Sequence, residues 1–320
     1  RSVLLVCCPD LDHSVSPWRS NTNRCSPTLT SANCAAPRRG PAVRTRPCQD
    51  GHVGTHVLAV ANQKGGVAKT TTVASLGAAM TELGKRVLLV DLDPQGCLTF
   101  SLGQDPDKLA VSVHEVLLGD VETNAALVQT LEGMTLLPAN IDLAGAEAML
   151  LMRAGREYAL KRGLAKLEAT DDPFDVVIID CPPSLGVLTL NGLTAAAEVI
   201  VPLQCETLAH RGVGQFLRTV ADVQQITNPE LTLLGALPTL YDSRTTHSRD
   251  VLFDVVDRYE LPVLAPPIPR TVRFAEATAS GSSVLAGRKN KGAMAYRELA
   301  EALLAHWKSG RELPTYTPDV

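Results

Sequence analysis

The sequence predicts an α/β fold in which a mostly parallel, twisted sheet carries helices on both of its faces. Short, continuously apolar runs, such as residues 176–179, alternate along the chain with segments whose apolar residues recur at helical spacing. Strands that are buried on both faces are apolar throughout, and parallel neighbours need a long connection, which is usually a helix. These two observations together predict a sheet covered by helices on each side.

The first strand, loop and helix are the most informative stretch of the chain. Residues 57–60 are an apolar run, residues 61–72 read Ala-Asn-Gln-Lys-Gly-Gly-Val-Ala-Lys-Thr-Thr-Thr, and residues 73–83 are apolar at helical spacing. In such an arrangement the loop N–H groups and the helix N-terminus face an anion, Lys69 supplies a cation, and the Thr70 hydroxyl can ligate Mg²⁺. The stretch therefore predicts a nucleotide-binding loop and a single P-loop NTPase domain.

The remaining elements continue the same alternation of strand and helix. Apolar runs predict further strands at 85–91, 134–138, 175–180, 198–203 and 231–240, and a short proline-rich strand near Leu264. Helical spacing predicts further helices at 113–118, 122–131, 143–168, 208–226, 248–259 and 291–307. The run at 175–180 is the clearest buried strand of the chain.

Three segments are expected along the chain. Residues 1–54 are rich in Pro, Ser, Asn, Thr and Arg, and their arginines outnumber their aspartates by seven to three. This segment is predicted to be a disordered basic leader or an overextended gene start. Residues 55–310 contain no stretch typical of a linker and are predicted to form one domain, followed by a C-terminal tail at 311–320.

Composition and charge exclude several classes of protein. The net charge of the 320 residues is −4, so any nucleic-acid binding must come from a local patch. The sequence contains no apolar run of the roughly 18 residues that a membrane span needs. It also contains no CxxC pair, which argues against a zinc ribbon or an iron–sulfur carrier. The dispersed thiols of the body favour a reducing, cytoplasmic location.

Carboxylates follow two of the predicted strands at the end where ligands bind. Asp91 and Asp93 follow the second strand, and Asp180 ends the run at 175–180. In parallel α/β sheets ligands lie beyond the carboxyl ends of the strands, where the Lys69 loop also lies. Burying an unpaired carboxylate is expensive, and a shared Mg²⁺-nucleotide removes that cost. We therefore expect a nucleotide and Mg²⁺ at this edge of the sheet.

The phosphate loop departs from the generic motif in a way that resembles one family. Gln63 and Ala68 stand where the generic motif has glycine, and Lys64 is a second lysine ahead of the paired glycines. This K-G-G-V-x-K-T-T form resembles the deviant Walker A loop of the ParA/MinD family of dimerising ATPases, and Asn62 with Gln63 resembles its ParA branch. The resemblance implies an ATP-dependent homodimer in which Lys64 crosses to the partner's nucleotide. A positive φ at Ala68 would cost about 1 kcal/mol or more.

The resemblance assigns roles to the residues of the predicted site. Asp180-Cys181-Pro182-Pro183 resembles the family's D-x-P-P element, in which Asp180 holds Mg²⁺ through water, and the segment from Asp91 to Gly96 resembles its second aspartate motif. The implied catalytic residues are Lys64, Lys69 and Asp93, of which Asp93 orients the attacking water. The implied metal-site residues are Thr70, Asp91 and Asp180. The implied nucleotide-binding residues are Lys64, Gly65, Gly66, Val67, Ala68, Lys69, Thr70, Thr71 and Pro269.

The resemblance continues into the last third of the chain. Residues 201–206 resemble the V-P-x-Q-x-E segment of ParA proteins, residues 242–245 the D-x-R-T loop, and residues 268–277 the I-P-R-x-x-R-x-x-E-A stretch. In the family, arginines that match Arg244 and Arg273 contribute to non-specific binding of double-stranded DNA. Basic side chains in this part of the chain would supply salt-dependent, sequence-blind affinity, which a dimer doubles.

The expected function is ATP-driven chromosome or plasmid partition. The ATP dimer would bind DNA, and slow hydrolysis, stimulated by a ParB-like partner, would release it; the protein would be cytoplasmic and nucleoid-associated when ATP-bound. An alternative is a MinD-like membrane-surface or protein-partner positioning ATPase. The tail has two prolines and mixed charge rather than a basic amphipathic helix, so no stable membrane association is expected. A nitrogenase-iron-protein type of reductase and a regulator with little turnover rank below these.

Overall fold

The computed structural model describes residues 54–168, 172–206, 209–287 and 289–317. The predicted leader at 1–54 lies outside the described residues except for residue 54. Among the described residues, no helix is both long enough and apolar enough to span a bilayer.

Seven strands within these residues form one sheet. They are β1 His56–Val60, β2 Val87–Asp91, β3 Val128–Gln129, β4 Thr135–Leu137, β5 Val176–Asp180, β6 Glu198–Gln204 and β7 Thr232–Thr239. The strand order is β3-β4-β2-β5-β1-β6-β7, and every neighbouring pair is parallel except β3 with β4. The predicted α/β fold with a mostly parallel sheet is therefore confirmed.

The helices are α1 Lys69–Glu82, α2 Cys97–Ser101, α3 Val113–Leu118, α4 Leu143–Leu151, α5 Ala159–Glu168, α6 Val187–Ala195, α7 Ala209–Ile226, α8 Thr246–Tyr259, α9 Arg273–Ala279 and α10 Lys291–Ser309. Helices α1 to α7 lie between strands and form the crossover connections, whereas α8 to α10 follow the last strand. Parallel strands require such crossovers because a tight turn cannot return the chain to the same end of the sheet.

Two hydrophobic cores lie on opposite faces of the sheet. In β1, Val57 and Ala59 belong to one core, whereas Leu58 and Val60 belong to the other. Successive strand side chains point to opposite faces, so a strand covered on both sides must be apolar at every position. Helices α1, α2, α9 and α10 contribute to the second core, and α3 to α8 to the first.

Several predicted elements differ from the structure. The predicted helix at 143–168 is two helices, because Gly155 takes a left-handed φ of 64° and a short 3-10 turn follows at Arg156–Tyr158. The predicted helix at 122–131 is a 3-10 turn at Thr123–Ala126 followed by β3, which pairs with β4 at the sheet edge. Helices α2, α6 and α9 were not predicted; α6 is largely buried and therefore lacks an amphipathic period.

The C-terminal tail packs on the edge of the domain. The predicted strand near Leu264 consists of isolated bridges: Val263 pairs with Ala236 of β7, and Leu264 pairs with Thr315 of the tail. The tail backbone is held by two further hydrogen bonds, from Ala265 N to Pro314 O at 2.9 Å and from Tyr316 N to Val263 O at 2.9 Å. The described part of the tail thus extends the β-structure beyond β7.

Candidate functional site

The phosphate loop joins the carboxyl end of β1 to the N-terminus of α1. Gly66 has a φ of 75°, and Ala68, at the N-cap of α1, has φ 62° and ψ 33°. Ala68 has no side-chain acceptor, so the N-cap residue does not satisfy the first N–H groups of the helix. Unpaired helix N-terminal N–H groups and the helix dipole make this loop suited to a phosphate.

Lys69 is the buried cation of this loop. Only 7% of the residue is exposed, and its Nζ donates to the Lys64 carbonyl oxygen at 3.1 Å. Burial lowers the pKa of the Lys69 ammonium, and the opposing attraction of Asp180 is the largest effect that raises it. A cation that is desolvated in this way interacts strongly with a bound phosphate.

Thr70 and Asp180 form the second feature of the site. The Thr70 hydroxyl donates to Asp180 Oδ2 at 2.7 Å, and the other carboxylate oxygen, Oδ1, is buried with no hydrogen-bond partner among the described residues. Burial, followed by the charge of Asp91, raises the pKa of Asp180 well above its ordinary value. Mg²⁺ is usually bound by one or two protein oxygens together with water and phosphate oxygens. The unpaired oxygen beside a threonine hydroxyl fits that requirement.

Asp91 lies beside Asp180, but its carboxylate accepts hydrogen bonds from the residues that follow β2. The two residues are paired in register on neighbouring strands β2 and β5. Asp91 accepts hydrogen bonds from Thr99 N at 2.9 Å, Thr99 Oγ1 at 2.8 Å and Asp93 N at 3.1 Å. Burial nevertheless raises the pKa of Asp91 to about 6. Its carboxylate therefore shapes the turn after β2, and its predicted role at the metal stays a prediction.

Asp93 is half-buried in the turn that Asp91 organises. Its Oδ1 accepts a hydrogen bond from Gln95 N at 3.0 Å, and Gly96 follows with a left-handed φ of 60°. The predicted role of Asp93 in orienting the attacking water is untested and stays a prediction.

Lys64 forms an ion pair with Glu206, a residue to which the sequence assigned no role. Its Nζ contacts Glu206 Oε2 at 2.5 Å, and the two side chains are 33% and 53% exposed. Asn62 holds the loop here, because its Oδ1 accepts from Lys64 N at 3.1 Å and its Nδ2 donates to Pro202 O at 2.7 Å. Lys64 is therefore paired within its own chain in this structure.

The end of β7 connects the phosphate loop with the I-P-R segment. The Thr239 hydroxyl donates to Val67 O at 3.0 Å, and Tyr241 forms a parallel bridge with Pro269. Pro269 therefore lies next to the strand end that touches the loop. Its predicted contact with the nucleotide stays a prediction.

The two predicted DNA-binding arginines lie on exposed segments that meet at Tyr241. Arg244 makes a two-pronged pair with Asp242, with Nε to Oδ1 and Nη2 to Oδ2 both at 3.0 Å, and this guanidinium lowers the pKa of Asp242. Arg273 pairs with Glu276 at 2.6 Å. Three of the four side chains are at least 55% exposed and Asp242 is 35% exposed, so solvent screens both pairs and they are weak.

Two of the cavities among the described residues lie at opposite ends of the strands. One of about 200 Å³ lies between α1, α2 and α9 and is lined by Thr70, Thr71 and Cys97 among others. The other, of about 760 Å³, lies at the amino ends of β1 and β5, where Thr55 and Trp307 line it. The smaller cavity borders the predicted nucleotide residues, whereas the larger one lies away from them.

Comparison with known proteins identifies the family. A family model described as an AAA domain matches residues 55–233. The sporulation initiation inhibitor protein Soj of Bacillus subtilis is 42% identical over 252 residues, which are 78% of this chain and 98% of Soj. The chromosome partitioning protein ParA of Caulobacter vibrioides is 43% identical over 251 residues, which are 78% of this chain and 94% of ParA. The chain belongs to the ParA/Soj family.

One solved structure carries a different functional name. A protein of Mycobacterium smegmatis named cobyrinic acid a,c-diamide synthase is 81% identical, with a TM-score of 0.75, and the match covers 82% of this chain and all of that one. That protein has been solved with bound ADP and magnesium and with a bound ATP analogue and magnesium. The donor set of Lys69, Thr70 and Asp180 in this ParA/Soj-family chain suits the same type of ligand.

The site of this ParA/Soj-family protein contains two residues that sequence reasoning left without a role. Glu206 belongs to the quoted V-P-x-Q-x-E segment, yet its pairing with Lys64 depends on how the ends of β1 and β6 meet. Thr99 is an ordinary helix residue in the sequence, and its two hydrogen bonds to Asp91 appear only when α2 forms. The sequence signal for Glu206 was an acidic residue next to the carboxyl end of β6. Thr99 had no such signal.

Proposed function

We propose that this protein is an ATP-dependent, dimerising ATPase that binds DNA non-specifically and acts in chromosome or plasmid partition. The observation that carries the proposal is the pair of lysines in one phosphate loop: Lys69 is buried within it, and the Lys64 side chain is 33% exposed and held by one acidic side chain. A single nucleotide requires only the first lysine, so the second is suited to a nucleotide bound by another subunit. The ParA and Soj relatives support the same assignment.

ATP and Mg²⁺ are the proposed cofactors. The N–H groups at the start of α1 and the Lys69 ammonium would hold the β- and γ-phosphates, while Thr70 and Asp180 would hold the metal directly or through water. The bound Mg²⁺ supplies neutralisation of the phosphate charge. Phosphoryl transfer requires mainly positioning and charge neutralisation, which these side chains provide without a covalent intermediate.

Hydrolysis is assigned to the turn after β2. Asp93 would accept a hydrogen bond from the attacking water and orient it toward the γ-phosphate. Asp91 keeps this turn in place through its bonds to Thr99 and to the Asp93 amide. The turn that carries Asp93 would reach its productive position only in the partner-bound dimer. Basal ATP hydrolysis would therefore be slow, and a ParB-like partner would raise its rate.

Dimerisation depends on what Lys64 contacts. A lysine about 4 Å from a phosphate in a partly closed interface gains roughly 4 kcal/mol at an effective dielectric constant near 20. The exposed pair of Lys64 with Glu206 is worth about 1 kcal/mol at most. ATP therefore shifts Lys64 toward the partner's nucleotide, and loss of the γ-phosphate reverses the shift.

DNA binding is assigned to the loop that carries Arg244 and to the start of α9, where Arg273 lies. Each arginine can exchange its carboxylate partner for a backbone phosphate, and a dimer presents both segments twice. Two copies on one rigid body bind more tightly than one because the second contact is intramolecular. The ATP dimer would consequently reside on the nucleoid and leave it after hydrolysis.

The test is binding to non-specific duplex DNA in ATP, in ADP and without nucleotide. Wild type, Lys64→Ala, Asp93→Ala and Arg273→Glu are compared by fluorescence anisotropy at several salt concentrations. The proposal predicts ATP-dependent binding that is lost in Lys64→Ala and Arg273→Glu and retained in Asp93→Ala. A dimer that forms with ATP but does not bind DNA would contradict the partition assignment and favour a membrane surface or a protein partner.

The 81% identical structure supports a second candidate, ATP-driven amide formation on a cobyrinic acid-type carboxylate. The same Lys69, Thr70 and Asp180 set would serve ATP use in that reaction. The two candidates differ in what raises ATP turnover. Stimulation by the corrinoid acid together with an amide nitrogen donor, measured as phosphate release with formation of the amide, would favour the synthase. Stimulation by DNA together with a ParB-like protein would favour partition.

A further inference from the structure

We infer that Tyr316 of the C-terminal tail is a positioning residue for the two DNA-contacting segments, the loop of Arg244 and the start of α9 at Arg273. The inference rests on the proposed DNA-binding function and deepens it by naming what fixes the geometry of the two arginine segments. Tyr316 lies outside both segments and outside the phosphate site. It acts through Tyr241, on which its ring packs.

The tail is attached along its backbone before it reaches Tyr316. Thr315 is bridged to Leu264, and the Ala265 and Tyr316 amides donate to Pro314 O and Val263 O, each at 2.9 Å. These bonds fix the direction of the tail. The position of the Tyr316 ring therefore follows from regular β-type pairing rather than from a loose chain end.

Tyr316 contacts Tyr241 through its ring and its hydroxyl. The ring centroids lie 5.6 Å apart with an interplanar angle of 76°, and the two hydroxyl oxygens are 3.3 Å apart. Edge-to-face pairs of this kind are favoured over face-to-face stacking. Tyr241 is 6% exposed, and burial raises the pKa of its phenol, so the hydroxyl contact persists at neutral pH.

Tyr241 joins the two arginine segments through its backbone. Its amide donates to Ile268 O at 2.9 Å, and its carbonyl accepts from the Arg270 amide at 3.3 Å. The next residue, Asp242, starts the loop that carries Arg244, and Arg270 leads into the start of α9 at Arg273. A shift of Tyr241 would consequently move both arginines relative to each other.

The backbone before Tyr241 is strained and requires external support. Leu240 has a φ of 50°, a region that β-carbon-bearing residues adopt only when neighbouring structure imposes it. On its other side, Thr239 is bonded to the phosphate loop at Val67 O. The segment is thus held at one end by the nucleotide loop and at the other by Tyr316. Among the described residues, no hydrogen bond or ring contact joins Tyr316 to Lys69, Thr70 or Asp180, so nucleotide binding should not depend on it.

The experiment compares Tyr316→Ala and Tyr316→Phe with the matched tail variant Thr315→Ala, whose exposed side chain is on the same paired segment. Duplex DNA and ATP affinities are measured on the full chain. Tyr316→Ala should weaken ATP-dependent DNA binding by about five- to tenfold, the scale of one aromatic pair with one hydrogen bond. Tyr316→Phe should give an intermediate loss, Thr315→Ala none, and ATP affinity should stay within about twofold in all three.

A double-mutant cycle separates positioning from general destabilisation. In an Arg244→Ala background, measured at low salt where binding through Arg273 remains, Tyr316→Ala should cause a smaller further loss of DNA affinity than it does in wild type, because one of the two side chains that it positions is gone. Unchanged DNA affinity in Tyr316→Ala, or an equal loss in both backgrounds, would overturn the inference.

Amide hydrogen exchange tests the same inference without DNA. The Tyr241 and Arg270 amides should exchange faster in Tyr316→Ala than in wild type, whereas amides of β1 and β5 should not. If wild type fails to bind DNA with ATP, the proposed function fails, and faster exchange at these two amides still supports the positioning role. Unchanged exchange there would overturn it.

Discussion

Replacing Glu206 with glutamine removes the negative charge that holds Lys64 in its own subunit. The change keeps the shape of the side chain, and the Lys64 ammonium loses the charged partner that it contacts at 2.5 Å. If Lys64 must leave Glu206 before it reaches the partner's nucleotide, the pair opposes dimerisation. Glu206→Gln should therefore tighten the ATP-bound dimer, because part of the cost of releasing Lys64 disappears.

The expected size of the effect follows from the exposure of the pair. The side chains of Lys64 and Glu206 are 33% and 53% exposed, so solvent screens their attraction and the pair is worth between 0 and about 1 kcal/mol. Each dimer breaks two such pairs. At about 0.5 kcal/mol for each, the gain is about 1 kcal/mol, or a roughly fivefold lower dimer dissociation constant.

Sedimentation velocity with a non-hydrolysable ATP analogue measures this dissociation constant. Glu82→Gln is the matched control, because it removes the same charge from a pair with Arg297 of similar length, 2.6 Å, and similar exposure, 33% and 45%. The control should dimerise like wild type. A Glu206→Gln dimer that is no tighter than this control, or is weaker, would refute the view that Glu206 competes for Lys64.

Three further predictions concern the phosphate loop, the metal site and the C-terminal helix. Ala68→Gly should raise the free energy of unfolding by about 0.5 kcal/mol in urea titrations, since relief of about 1–2 kcal/mol at φ 62° is partly offset by unfolded-chain entropy. Asp180→Asn should abolish the thermal stabilisation by Mg²⁺ and ATP, which is about 2.7 kcal/mol at a hundredfold excess of ligand over Kd. Without nucleotide, the variant should stay at least as stable as wild type because a buried charge is removed. His306→Gln should flatten the pH dependence of the free energy of unfolding. The hydrogen bond with Glu198 raises the pKa of His306, so the stabilisation by His306 is full below pH 6.5 and is lost as the pH rises through the pKa of His306 in the folded protein.

Controls make each of these results decisive. Ala165→Gly, in an exposed helical position of α5, should lower stability by about 0.5–1 kcal/mol, and a similar loss in Ala68→Gly would contradict the strain at Ala68. Asp120→Asn, on an exposed turn, should keep the full response to Mg²⁺ and ATP. If the difference in unfolding free energy between wild type and His306→Gln stays constant above pH 6.5, the bond to Glu198 has no pH-dependent role.

Much of the fold follows from local patterns in the sequence. The apolar runs of β1, β2, β5 and β6 are buried on both faces, so their periodicity is unambiguous, and the loop before α1 has a composition that restricts its shape. Elements whose formation depends on neighbours were missed. Helix α6 is buried almost throughout, and β3 exists because β4 offers an edge.

The candidate site could be predicted as a set of residues but not as a set of contacts. Lys69, Thr70 and Asp180 lie at ends of adjacent elements, and parallel topology alone brings them together. The bonds of Lys64 to Glu206 and of Tyr316 to Tyr241 join residues far apart in the chain, and each depends on the order of strands in the sheet. Spacing along the sequence carries no information on that order.

The salt dependence of duplex DNA binding by the ATP-bound protein tests the central claim most directly. Two arginines in each subunit of a dimer give four phosphate contacts, so the logarithm of the association constant should fall with the logarithm of salt concentration with a slope of about −3.6 or steeper. With ADP in place of ATP, the same protein should show no measurable DNA binding at the same salt concentrations. Equal affinity in ATP and ADP, or a slope near zero in ATP, would contradict an ATP-switched, phosphate-reading dimer.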